Sequence, residues 1–139
     1  MYLEKFNEMK ASELRVGNWV NNNEEDYQIT SATIAQLERG DSTAKPIELT
    51  EEWLLRFGFK RLEARQINQY ESEDIVMGIE NGYYKVVFKS EWYGTVQSNA
   101  WKSIEFSRGG DYVANVETVH KLQNLYFILT DRELEIKIS

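Results

Sequence analysis

The sequence predicts an α+β fold, and three observations carry that prediction. Two apolar-rich runs flank Asn81-Gly82, a pair whose tolerance of positive φ makes it the strongest short hairpin signal. A capped segment around Trp53-Leu54-Leu55 ends in Gly58, as a short helix should. Beyond Asn115 the apolar period changes from two to three and four, the mark of an amphipathic helix. One α+β domain is expected over residues 11–139, preceded by a flexible extension over 1–10 that frays, with Met9 as an alternative start.

From Leu14 the pattern Leu14, Val16, Trp19, Val20 reads as a strand interrupted at Gly17-Asn18. The polar cluster Asn21 to Asp26 turns the chain into a second strand, Tyr27 to Thr30. Ser31 to Gly40 reads as a short helix capped by Ser31, with Ile34 and Leu37 three apart and Gly40 at its end. After the loop Asp41 to Lys45 and Pro46, Thr50 is a good N-cap. Glu51 and Glu52 there complement the positive helix end, and Phe59 is placed to fold back on Leu54 or Leu55 past the Gly58 stop.

The middle third reads as an antiparallel meander. Ile75, Met77 and Ile79 alternate before the turn, and Tyr84, Val86 and Phe88 after it. Trp92 to Val96 and Trp101 to Phe106 add one or two strands, and Ser107 to Asp111 turns at Gly109-Gly110, so the sheet has four or more strands. Asn115 is expected to cap the last helix, whose stripe is Val116, Val119, Leu122, Leu125, Tyr126 and Leu129. That helix should pack on the sheet, and Leu134, Ile136 and Ile138 alternate as a final strand.

Composition narrows the chemistry. The absence of cysteine removes disulfides, thiolate nucleophiles and sulfur-ligated zinc. No apolar run nears the roughly 18 residues that span a bilayer, and the first residues lack a secretory layout, so a cytoplasmic protein is expected. The net charge of −7 is evenly spread, with 9 basic and 12 acidic residues over 1–65 and 7 and 11 over 66–139. Without a Lys/Arg cluster to neutralise phosphates, nucleic acid is a poor partner. Glu24-Glu25-Asp26 and Glu71, Glu73, Asp74 are dense in oxygen ligands but lack the spaced pattern that curls a loop around calcium, so no metal and no cofactor are expected. No Gly-x-Ser-x-Gly elbow or phosphate loop is present, and no catalytic residue is assigned.

The remaining candidates are for binding. Trp92, Tyr93 and Trp101, interleaved with Lys89 and Lys102, form an aromatic group suited to a protein anchor or to stacking on a base or sugar. His120, Gln123 and Asn124 lie beside the stripe of the last helix, available to the sheet or to a partner. The lone His120 is a general base only if a carboxylate meets it in a pocket, and otherwise a partly exposed helix residue.

Three stretches, Ala11 to Val20, Pro46 to Phe59 and Val119 to Thr130, together resemble a family of small uncharacterised proteins of prophages and mobile elements in gut Bacteroidota. The resemblance carries no function, no activity and no catalytic residues. It also implies Met9 as the usual start. The Leu14-Arg15-Val16-Gly17-Asn18-Trp19-Val20 entry is similar to SH3-like barrel openings, an analogy of fold alone. The expectation is therefore a non-enzymatic protein that binds another protein, with a small-ligand or single-stranded nucleic-acid site at Trp92, Tyr93 and Trp101 as the alternative. An acid/base enzyme using His120 comes last, and an uncovered edge strand would allow a homo-oligomer.

Overall fold

The computed structural model describes residues 9–63, 74–93 and 96–137, with the backbone alone described over 90–93 and 96–102. The fold is mixed α+β, with two antiparallel sheets among the described residues. Where the sequence suggested one domain over 11–139, contacts gather in two compact units. One comprises Met1–Leu49 with Glu117–Glu135, the other Thr50–Val116 with Ile136–Ser139.

In the first unit a 3-10 turn, Ala11–Glu13, precedes strand β1 (Trp19–Asn21), which pairs with β2 (Asp26–Gln28). The predicted strand from Leu14 does not form. Val16 is exposed and Gly17 has φ +97°, so the chain enters the sheet only at Trp19. Helix α1 (Ser31–Glu38) is capped by Thr30, one residue before the expected Ser31. Thr30 and Thr33 cap reciprocally, each backbone N–H donating to the other's hydroxyl. Leu14, Val20, Ile29 and Ala44 form a core on which Met9, Tyr27, Ile34 and Leu37 pack. Met9 therefore belongs to the fold, in contrast to the extension expected over 1–10, whose residues 1–8 lie outside the described residues.

Helix α3 (Val119–Thr130) completes this unit, where it meets β1 of the small sheet. Its N-cap is Thr118, not Asn115. Residues 116–118 intervene because Thr118 bridges Glu48 in antiparallel fashion and Val119 N donates to Ile47 O at 2.9 Å. The final strand does not form either: residues 132–137 carry no strand pairing, although Leu134 is buried, and Ile138 lies outside the described residues.

The second unit opens with α2 (Glu51–Arg56), capped by Thr50 as expected. Its stop is a Schellman motif: Gly58 N donates to Leu55 O and Phe59 N to Leu54 O, with Gly58 at φ +95°. The sheet runs β3 (Lys60–Arg61), β4 (Ile75–Ile79), β5 (Tyr84–Tyr93), β6 (Val96–Arg108), β7 (Asp111–Asn115) in spatial order. Strand β7 occupies residues the sequence assigned to a turn and a cap. The hairpin at Asn81-Gly82 forms, but Ile79 faces Tyr84, leaving a four-residue loop in which Glu80 also adopts positive φ. Gly78 stands in the middle of β4 because a Cβ there would meet the Leu62 methyls at 2.9 Å. Trp53, Leu54, Phe57 and Phe59 are buried in the same unit as Met77, Val86, Phe88, Ile104 and Phe106, its core.

Candidate functional site

Two places collect the residues singled out in the sequence. The first is the N-terminal half of α3. Apolar residues at Val119, Leu122 and Tyr126 set its buried face, and His120 and Gln123 turn out to share it. Gln123 accepts from Trp19 N at 2.8 Å and donates to Gly17 O at 3.2 Å. Asn124 Oδ1 accepts from Asn18 Nδ2 and from Arg15 Nε, both at 2.9 Å, while its Nδ2 donates to Glu13 O at 2.9 Å. Arg15 reaches on to Glu133 through both terminal nitrogens, at 2.8 and 3.0 Å, and lies 4.3 Å over the Phe127 ring. That fork holds the Glu133 carboxyl below its ordinary range, its hydrogen bonds outweighing burial.

These bonds give Gln123 and Asn124 a defined task. They satisfy backbone groups of the Glu13–Trp19 segment that β-pairing leaves open, and so fasten β1 to α3. Both side chains are fully engaged within the fold.

His120 differs. Its side chain is 2% exposed, and among the described residues neither ring nitrogen has a hydrogen-bond partner; the Thr118 hydroxyl is likewise unpartnered among them. Burial pushes the imidazole down to about 4, against the raising influence of Glu13, with Lys121 adding to the lowering. Glu13 Oε1 stands 3.9 Å from Nε2 and already accepts the Lys10 N–H at 3.0 Å. The ring is thus a neutral group sealed in the core, too far from the carboxylate for proton transfer through a direct hydrogen bond.

The second place is the distal part of the β5–β6 hairpin. Strand β4 begins at Ile75, opposite Phe88, and β7 ends at Asn115, opposite Glu105. Strands β5 and β6 continue past both neighbours, pairing Lys89 with Ser103, Ser90 with Trp101, Trp92 with Gln97 and Tyr93 with Val96, with register shifts on either side of Ser90. Lys89–Tyr93 and Val96–Ser103 therefore form a two-stranded ribbon that no third strand flanks among the described residues. Trp92, Tyr93 and Trp101 all lie on it, and at its base Lys89 Nζ is 3.4 Å from Asp74 Oδ2.

Of the acid clusters, Asp26 accepts from Asn21 Nδ2 at 2.7 Å, and Glu71 and Glu73 lie outside the described residues. No group of three or more His, Asp or Glu placed to hold a metal occurs among the described residues. No helix among them is long and apolar enough to cross a membrane. An open polar depression of about 490 Å³ is lined by Lys60, Arg61, Glu63 and Asn81, a mixed-charge surface without a convergent set of donors. Arg15, Asn18 and Glu133 were not singled out in the sequence; Arg15 and Asn18 flank Gly17 and bond each other, but their bonds to α3 and Glu133 span more than a hundred residues. No protein-family model, no curated protein and no solved structure matches the chain.

Proposed function

We propose that this chain is a non-enzymatic accessory protein that binds another protein through the β5–β6 ribbon. The observation that carries this reading is the register: the ribbon outruns the sheet on both sides, yet holds Trp92, Tyr93 and Trp101 and no charged residue from 92 to 101. A two-stranded ribbon on its own is marginal in water, so an aromatic-rich one gains from a further surface. Trp and Tyr are the residues that most often anchor protein interfaces. The resemblance of the three sequence words to proteins of prophages and mobile elements in gut Bacteroidota adds a mobile-element setting.

Stacking on single-stranded nucleic acid draws on the same aromatics but lacks the cations. Lys89 is paired with Asp74 at 3.4 Å, Lys102 is the other lysine of the ribbon, and the chain carries −7. The test is capture from host lysate on a tagged wild-type chain and on a variant in which residues 90–102 are replaced by Asn-Gly. That turn closes the facing pair Lys89 and Ser103. The reading expects a partner on the wild type, none on the shortened chain, and an unchanged unfolding midpoint. Equal capture by both, or no partner together with turnover of a metabolite, overturns it.

A further inference from the structure

Resting on the ribbon as the binding element, we propose that the ribbon also joins a second copy of this chain, edge to edge along β6 from Val96 to Ser103. Unpaired strand edges are templates for further pairing, and natural sheets blunt them with lysines, prolines, bulges or extreme shortness. The outer strands of the sheet carry such devices. Strand β3 is two residues long, Lys60 and Arg61. Strand β7 spans five residues, begins with Asp111, and shifts register against β6 between Phe106 and Ser107. The overhang of β5 carries Lys89 and Glu91, and Lys89 is held by Asp74.

The overhang of β6 carries far less protection. Val116 N donates to Ile104 O at 2.8 Å, closing the edge at that point. From Ser103 back to Val96, the side of β6 turned away from β5 has no ladder partner among the described residues. That stretch, Val-Gln-Ser-Asn-Ala-Trp-Lys-Ser, has no proline, no glycine and one charge, Lys102, in a chain that is 28% charged.

The same composition selects a second copy. A chain of net charge −7 repels itself over most of its surface, but this edge brings no acidic residue to the seam. Two identical strands pair antiparallel about a two-fold axis, so length and neutrality match by construction. Centred on Asn99, the register sets Lys102 opposite the partner subunit's Val96. The two lysines then stand about 20 Å apart along the seam at about 3.4 Å per residue, beyond the roughly 8 Å screening length at physiological salt. A foreign strand would find on this edge no charge pattern that selects it.

Sedimentation velocity from micromolar to hundreds of micromolar protein tests this on wild type, on the double variant Ser98→Lys with Asn99→Lys, and on the shortened chain. Far-UV circular dichroism confirms folding of each. The inference expects wild-type mass to rise twofold from 16.3 kDa with concentration, and both variants to stay monomeric. If the double variant does not fold, the shortened chain alone decides between monomer and dimer. A wild type monomeric throughout overturns the second copy and leaves the ribbon reading to the capture experiment. A dimer that survives the lysines but not the shortening overturns the edge while keeping the ribbon. A dimer that survives the shortening overturns the inference and places self-association elsewhere.

Discussion

Acidification from pH 7 to pH 5 should weaken the first unit through His120. In the unfolded chain an imidazole takes up a proton near its ordinary value of 6.5; in the fold, burial holds it neutral until about 4. Between those limits the unfolded state binds more protons, so unfolding free energy falls as pH falls. The contribution is whole above 6.5 and lost progressively down to about 4. At about 1.4 kcal/mol per pH unit, roughly 2 kcal/mol is lost by pH 5 and about 3 kcal/mol over the whole window. Glu133, held below the usual carboxylate range by Arg15, adds a loss of its own as pH falls through that range, and it is common to wild type and variant, so the comparison with His120→Leu removes it. The assay is urea unfolding followed by tryptophan fluorescence at both pH values, on wild type and on His120→Leu. Because neither ring nitrogen makes a hydrogen bond among the described residues, leucine should cost less than about 1 kcal/mol at pH 7 and abolish most of the difference between the two pH values. Equal pH dependence in both proteins, or a loss of several kcal/mol in the variant at pH 7, would refute the argument.

Gln123→Leu removes the side-chain acceptor of the part-buried Trp19 N–H and one of two amide donors to Gly17 O, Gln28 Nε2 being the other, and should cost about 2 kcal/mol in urea unfolding at pH 7. An effect under about 1 kcal/mol would mean that water replaces the amide. Gly58→Ala forces a side chain into the left-handed region at φ +95°, with Lys137 Cγ 3.1 Å from the new Cβ. A loss of about 1–2 kcal/mol is expected from thermal or urea unfolding, and no loss would mean that the helix stop has another geometry.

How much of this was legible in the sequence follows from the range of each interaction. The Thr50 cap, the Gly58 stop, the hairpin at Asn81-Gly82 and the turn at Gly109-Gly110 are written within a few residues, and each formed. Asn115 is as good a cap residue as Thr118, and only the distant bridge to Glu48 decides between them. The alternation Leu134, Ile136, Ile138 has the period of a strand, but a strand needs a neighbour. Among the described residues, Lys137 N donates to Arg56 O at 2.7 Å and ties the chain to a helix end. Strand β7 was hidden because Tyr112-Val113-Ala114 is too short a run beside Gly109-Gly110 to outweigh the turn signal. The amides of Gln123 and Asn124 were recognisable as polar groups beside a stripe. Their partners, Gly17, Asn18 and Trp19, lie over a hundred residues away and leave no local trace.

The central claim is that this protein meets its partner on the ribbon beyond Phe88 and Glu105. Backbone amide exchange, read peptide by peptide on the full chain with and without the captured protein, tests it most directly. The account predicts slowed exchange concentrated in residues 89–103, with α3 and β4 unchanged. Protection that falls instead on α3 or around Lys60 and Asn81, with the ribbon exchanging as before, would contradict it.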